Sequence, residues 1–503
     1  MGGVLMKKRL FVWFLLSITV LTLLSGHAVK GAETAPEESF EQKYAQERLS
    51  LADANRYQTD VTLSEDEKQL DERLAEWKAE YIASCNGSVP DKMSVISDET
   101  IWSSALYAFC KSLPKGADLH IHSETLLPFD EVLAFVESRD ELYIGTGQEN
   151  RYILFCHESP GDAGEDELPV KEALMQGVIG REELKKQWTI LGGEQYEDIW
   201  EWFELLFDKE EAMSATPALL EAYYKEAFRY CCRNNILHVE IRKVFSGSHE
   251  KAAAKAQAIR NAYYEVKKEY PGFIVSLVGA GLKRADLDRE LTDVRLDNAV
   301  YIHEHVRDES DPEHIHDFLI GIDLVNEEDR SRPLIEFADQ LDGIVKEHPR
   351  LNLLLHAGES LEASSDNVID AYLLGAKRIG HGMNLYRFPD LMDLIREDDI
   401  CLEICPVSNQ TLRYVSDLRS HPAAEYLKRG VPFCLCSDDP VYQEHTMLTD
   451  DFFAAIVCWD LSLAEIKQLC MNSITYCCAD DFQKEELMNN WEKQWEEFLS
   501  FGE

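Results

Sequence analysis

LNLLLHAGESLEASSDNVIDAYLLGAKRIGHG, residues 351–382, decides the fold. It opens on an apolar run (351–356, LNLLLH), passes through a helical pattern and returns to a second short run (377–381, KRIGH). A near-continuous apolar strand, a helix and another buried strand describe a parallel sheet covered on both faces. Outward from this stretch the same alternation recurs at 117–122 (ADLHIH), 236–242 (ILHVEIR), 273–279 (FIVSLVG), 318–324 (FLIGIDL), 400–405 (ICLEIC) and 432–437 (PFCLCS). Eight such units fit an α/β chain closed into a (β/α)8 TIM-type barrel. An open doubly wound sheet would want a glycine-rich phosphate turn after an early strand, and no G-x-G-x-x-G occurs.

The rest of the chain is organised around that barrel, expected over residues 101–503. Roughly ninety residues separate His122 from the helical run starting near Thr216, far more than an ordinary βα connection. The insertion, placed at about 124–195, includes the acidic, turn-rich ESPGDAGEDE (158–167) and is the expected lid or substrate wall. Residues 33–100 read as an N-terminal helical arm. In it Ser64 and Glu67 form a capping box, and Leu70, Leu74, Trp77 and Tyr81 share one helical face. That stripe needs a partner, either the chain's own barrel or a second copy in a homodimer. Residues 1–32 read as a secretory signal: Lys7, Lys8 and Arg9, then the uncharged stretch Leu10 to Leu24, then small residues at Gly26, Ala28, Gly31 and Ala32. The stretch is shorter than the ~20 residues a membrane span needs. The mature protein is therefore expected outside the cytoplasm, secreted or periplasmic, and off the membrane.

Charge and cysteine narrow the partners. The 503 residues carry 93 Asp and Glu against 50 Lys and Arg, a net −43 that grows more negative once the signal leaves. Such a surface repels phosphate, so nucleic acid and anionic membrane are excluded, while a metal cation or an uncharged solute is not. Thirteen cysteines cannot all pair within one molecule. Many lie inside apolar runs (Cys401, Cys405, Cys434, Cys436, Cys458), where they read as small buried hydrophobes.

The chemistry sits at the ends of the runs. His120 and His122 alternate onto one face of the first strand, within reach of a single metal ion. The fifth run ends in His356-Ala357-Gly358-Glu359, the sixth in Gly380-His381-Gly382 and the eighth in Ser437-Asp438-Asp439-Pro440. Each motif alone has a bland reading as a core histidine, a turn or a helix cap. Four of them at the same end of four barrel strands form a site. Three imidazoles and a carboxylate suit Zn²⁺, one ion per chain, with a position left open for water. Glu359, three residues beyond a ligand, is placed to give a proton, and His381 and Asp439 to handle the water and the substrate.

These residues resemble the adenosine deaminase family of metal-dependent hydrolases: Pro114-Lys115-Gly116 ahead of His120-Ile121-His122, HAGE at 356–359, RIGHG at 378–382, EICPVSNQTL at 403–412 and SDDP at 437–440. SNQTLRYVSDLRSHPA (408–423), FELLF (203–207), VEIR (239–242) and NSITY (472–476) are similar to its secreted growth factor branch, whose N-terminal dimerisation arm the helical segment also resembles. The resemblance implies that His120, His122, His356 and Asp438 hold zinc and that Glu359 protonates purine N1 while water attacks C6. It implies further that His381 orients that water and that Asp439 serves the N7 side of the substrate or the water. The implied activity is hydrolytic deamination of adenosine or 2′-deoxyadenosine to the inosine product and ammonia. For such a substrate the acidic surface disfavours nucleotides relative to the uncharged nucleoside.

Three positions bear on specificity. Family members usually carry Gly where this chain has Asn326, so a side chain there would crowd N3 and point to another aminopurine or a modified nucleoside. Glu124 takes a ribose contact in the implied pattern, and Trp200 matches an aromatic that lines the site. The cytidine deaminase pattern fails because His238-Val239-Glu240 is followed by no Pro-Cys-x-x-Cys, and the lysine of binuclear barrel hydrolases is replaced by Asp323. A growth-factor-like adenosine-binding protein would need neither the full ligand set nor Glu359. Asn86 and Asn409 fit the glycosylation pattern.

Overall fold

Each of the eight apolar runs is a strand: β1 Gly116–His122, β2 Ile236–Val244, β3 Ile274–Leu282, β4 Leu319–Val325, β5 Asn352–Ala357, β6 Arg378–His381, β7 Cys401–Ile404 and β8 Phe433–Leu435. They form one sheet in chain order, all pairs parallel. The last strand returns to the first: His122 donates its backbone N–H to the Asp438 carbonyl at 3.0 Å, and Asp438 donates to that of His120 at 2.9 Å. Closure removes the two edges an open sheet would leave. It also puts His122 and Asp438 side by side, though 316 positions separate them in the chain.

This is a computed structural model, and it describes residues 43–46, 48, 57, 59–85, 87, 89, 99–147 and 151–501. The signal segment 1–32 and the possible glycan acceptor Asn86 lie outside the described residues. The chain divides between Arg56 and Tyr57 into two units, and every element that builds the site belongs to the second. Among the described residues no helix is long and apolar enough to cross a membrane.

The crossover helices begin where local chemistry supplies a cap. Thr216 accepts a hydrogen bond from Leu219 N–H and is followed by Pro217 at the first position of the helix Pro217–Arg233. Ser248 caps His249–Glu269, and Asp288 caps Arg289–His305. In His249–Glu269 the residues Ala252, Ala256, Ile259, Tyr263 and Val266 are buried, a stripe at helical spacing laid against the barrel.

The helix Glu65–Ser84 starts at the expected capping box of Ser64 and Glu67. Its stripe is spent on its own chain: Leu70 and Leu74 are buried, Tyr81 meets Phe453 edge-on at 5.0 Å, and Trp77 meets Phe501 at 5.5 Å. Those side chains attach this helix to the barrel.

The long first connection folds into two kinds of structure. Leu142–Thr146 pairs antiparallel with Tyr152–Cys156 and with Leu168–Pro169, and short helices surround this small sheet. The part that reaches the site is the helix Ile199–Leu206, just beyond the 124–195 segment expected to form the wall. All thirteen cysteines are free thiols, and eight of them are fully buried as small core residues.

Candidate active site

The site is a cup at the C-terminal end of the barrel. β1 delivers His120 and His122, β5 delivers His356, and the turn after β8 delivers Asp438. The ring centroids of His120 and His356 stand 4.4 Å apart, and His122 is 5.3 Å from each of them. Asp438 Oδ1 lies 3.2 Å from His122 Nε2 and 3.7 Å from His120 Nε2. The ligand atoms of His120, His122 and His356 all fall within 4.8 Å of one another. β6 allows this crowding through Gly380, where a side chain's first carbon would stand 3.0 Å from the His120 ring.

Electrostatics favour a cation here. His120 Nε2 is buried with no hydrogen-bond partner, facing two imidazoles and a carboxylate. Burial pushes the proton affinity of His120 and His122 below the ordinary histidine value, and that of His381 down to about 3. Neutral imidazoles beside an ionised Asp438 are the state in which such a set binds metal. The orphaned nitrogen and the N3O donor set fit a zinc ion.

Glu359 has the opposite character. It is buried, and burial together with the negative charges of Asp438, Glu328 and Asp329 raises its pKa well above the ordinary carboxyl value, Lys283 opposing only in part. Its Oε1 lies 3.4 Å from His381 Nδ1. Asn409 donates from Nδ2 to that same His381 nitrogen at 3.3 Å and itself accepts from His421 at 3.1 Å. A carboxyl of raised proton affinity and an oriented neutral imidazole therefore flank the cup.

A cavity of about 510 Å³ opens above, and His122, His356, Glu359, His381, Asp438 and Asp439 reach it together. Its far wall is Trp200 and Phe203 from the helix Ile199–Leu206 and Phe207 just after it. Trp200 is half-buried and donates its indole N–H to the Tyr414 hydroxyl at 2.9 Å, so the expected wall position is found. Asn326 also lines the cavity, and it keeps a backbone course that glycine prefers, with φ +105°. Its amide donates to Glu204 of the insertion helix at 3.1 Å. His381 and Asp438 likewise sit at positive φ, +62° and +59°. Left-handed backbone at three site residues is strain that the surrounding fold must hold in place.

Two expectations meet a different geometry. Glu124 is fully buried in an ion pair with Lys243 at 2.5 Å and does not line the cavity, where its neighbour Ser123 does. β1 and β2 are paired neighbours, and Lys243 at the end of β2 captures the carboxylate before a substrate could. Asn409 is fully buried, so it offers no glycan acceptor.

Sequence reading missed a layer below the cup. His120 Nδ1 meets Glu403 Oε2 at 2.9 Å, and His356 Nδ1 meets Asp323 Oδ2 at 2.6 Å. Arg242 contacts both carboxylates. The available signal was charge inside apolar runs, one residue each in FLIGIDL and ICLEIC and two at alternate positions in ILHVEIR. Asn409 and His421 gave no such signal, because their contacts are set only when β7's loop folds over β6.

A family model described as adenosine deaminase matches residues 274–494. Over those residues the chain is similar to the adenosine deaminase family. An adenosine deaminase of Phlebotomus duboscqi is 29% identical over 521 aligned positions, covering 98% of this chain and 98% of its own. Adenosine deaminase 2-A of Danio rerio is 28% identical and covers 90% of this chain and 92% of its own. Among solved structures, an adenine deaminase from Arthrobacter aurescens superposes with a TM-score of 0.55 at 22% identity, over 76% of this chain and 99% of that one. The barrel of that structure is thus the fold here too, and the cup occupies the face where barrel enzymes carry their chemistry.

Proposed function

We propose that this protein is a secreted, zinc-dependent deaminase of adenosine and 2′-deoxyadenosine that replaces the amine at purine C6 and releases inosine, or its 2′-deoxy form, and ammonia. The observation that carries this reading is one buried carboxyl whose surroundings raise its proton affinity, Glu359, beside a cup of three imidazoles and one carboxylate. A pure binder of the nucleoside has no use for that pairing. The relatives named adenosine deaminase support the substrate class.

His120, His122, His356 and Asp438 would hold one zinc ion, which when bound supplies a water acidified toward neutrality next to C6. The chain's own groups do the rest. Glu359 donates the proton that its burial keeps in place to ring N1, which breaks the ring's aromaticity and makes C6 electrophilic. His381, tethered at Nδ1 by Asn409, presents Nε2 to the attacking oxygen and holds it on the correct face. Asp439 borders the same oxygen and the N7 edge. Trp200, Phe203 and Phe207 cover the purine and exclude bulk water, so the proton on Glu359 is not lost to solvent. The leaving amine takes up its proton and departs as ammonia.

Asn326 supports a second reading of the substrate, another aminopurine or a modified nucleoside, because its side chain occupies cavity wall where the family usually has glycine. One experiment decides between them. Metal content and ammonia release are measured on the same purified sample with adenosine, 2′-deoxyadenosine and a panel of substituted 6-aminopurine nucleosides. Adenosine turnover is expected with one zinc per chain. No ammonia from adenosine with metal-replete protein overturns the substrate, and turnover confined to a substituted purine selects the second reading.

A further inference from the structure

Two imidazoles of the cup turn their Nδ1 atoms away from it, into carboxylates on well-separated strands of the barrel. His120 donates to Glu403 on β7 and His356 to Asp323 on β4. One side chain from β2 ties these carboxylates together. Arg242 donates from Nε to Asp323 Oδ2 at 2.8 Å and from Nη2 to Glu403 Oε2 at 2.5 Å. Its Nη1 donates to the carbonyl of Leu119 at 2.6 Å, the residue before His120 in β1. Arg242 is 1% exposed, and Asp323, Glu403 and His120 are wholly buried.

The choice of atoms matters. Asp323 Oδ2 accepts from both Arg242 and His356, and Glu403 Oε2 accepts from both Arg242 and His120. Each shared oxygen is therefore fixed by a guanidinium before it fixes an imidazole. A guanidinium is planar and its donors stand at set angles, so it transmits orientation where a lysine would transmit only charge.

We propose that Arg242 is a positioning residue that sets the orientation of His120 relative to His356 and thereby the affinity and geometry of the metal site. The proposal rests on the reading that these histidines hold the metal. A carboxylate behind a ligating histidine fixes its ring and tautomer, and loss of such a partner costs about 10–100-fold in metal affinity. Here one residue fixes two such partners at once.

A neighbouring arginine supplies the control. Arg378 also reaches Glu403, but through Oε1 at 2.7 Å, and its other donors go to Glu240, the Tyr476 carbonyl and Cys478 Sγ. It touches no oxygen that a histidine uses. Both arginines are buried in the same layer, so a merely structural role would show equally in both.

The test uses the full mature chain as wild type, Arg242→Gln, Arg242→Lys and Arg378→Gln. Zinc affinity is read by competition with a chelator, and the ligand-field absorption of the cobalt-substituted protein reports ligand geometry. Arg242→Gln is expected to weaken zinc binding about 10–100-fold and to shift the cobalt bands. Arg242→Lys keeps the charge, loses the fork, and should weaken binding by about five-fold or more. It carries the test alone where the glutamine variant does not fold. Arg378→Gln should keep wild-type affinity and bands while losing stability. Wild-type affinity and unshifted bands in the Arg242 variants overturn the proposal, as does an equal loss in Arg378→Gln. A wild-type protein that binds no zinc overturns the metal reading itself.

Discussion

Carboxylates occupy both ends of the barrel's interior, and the two ends treat them in opposite ways. In the lower layer Glu240 is paired with Arg378, and Asp323 with Arg242. Burial alone would raise the pKa of Glu240, but the Arg378 guanidinium outweighs it and holds the group at about 2. Asp323 is likewise held below the usual carboxylate range, the hydrogen bond from His356 and the Arg242 guanidinium overriding burial. At the mouth, burial and the like charges around it raise the pKa of Glu359 well above the ordinary carboxyl value, and Glu327 is pushed up to about 7 by burial, Asp329, Glu204 and Glu201. Burial is common to both regions; a cation in hydrogen-bond reach is not. In the lower layer the arginines hold Glu240 and Asp323 as anions, while burial still raises Glu403 against Arg242 and Arg378; in the proposed reading Glu359 is the proton source.

Removing the proton source should produce the largest effect. Glu359→Gln keeps the shape and an amide that can still hydrogen-bond, but it has no acidic proton to deliver to N1. Turnover should fall by about 10²–10⁴-fold with zinc content unchanged, as judged by ammonia release and metal analysis on one sample. Near-normal turnover would remove Glu359 from the acid role and with it the contrast between the two regions. Unchanged zinc matters equally, since it separates an acid from a ligand.

Next in size is a cut through the lower layer. Arg378→Met leaves Glu240 without its guanidinium in a dry interior while Glu403 keeps Arg242, and breaking a buried pair by removing one partner costs about 3–5 kcal/mol. Urea unfolding should show that loss as a lower midpoint with an unchanged slope. A loss below about 1 kcal/mol would mean that water reaches this layer, and the low pKa of Glu240 would then owe little to Arg378.

The same contrast explains what the amino-acid sequence reveals and what it conceals. All eight strands are legible because parallel strands buried on both faces must be apolar throughout, and the cup is legible because polar residues at strand ends break that rule. His120, His122, His356, Glu359, His381 and Asp438 all converge where the ends of β1, β5, β6 and β8 place them. The lower layer is harder to read. Glu403 in ICLEIC and Asp323 in FLIGIDL are single charges in apolar runs, and only closure of the barrel shows that Arg242 in ILHVEIR reaches both. Glu124 misleads for a related reason: it follows the histidines in sequence, yet Lys243 on the adjoining strand decides where it points. Lys115, in the Pro114-Lys115-Gly116 motif, is far from the chemistry. Its Nζ donates to the carbonyls of Lys111, Leu113 and Asn234 under the barrel, where a recurrent motif serves stability.

The smallest expected effect tests the mouth without touching the cup. Glu327 follows Asn326 at the end of β4 and is half-buried, with Arg330 Nε 3.6 Å away. That guanidinium is also claimed by Asp198 and is 55% exposed, so it does not offset the acids around Glu327. Because the folded-state pKa of about 7 exceeds the unfolded value near 4.3, the folded protein binds more protons between those limits. Stability must therefore fall as pH rises through that window, and the cost is complete above pH 7. Glu327→Gln removes the titration, so the variant should melt higher than the parent at pH 8 and within error of it near pH 4. Half-exposure and salt screening keep the gain under about 1 kcal/mol, a rise of at most about 2 °C in a chain of this size. Thermal melts at the two pH values, repeated in high salt, check the sign and the origin. Added salt should shrink the difference, because part of it is repulsion among partly exposed charges. A variant that is less stable at pH 8 would show that Arg330 compensates Glu327 after all, and the mouth would then resemble the lower layer more than its geometry indicates.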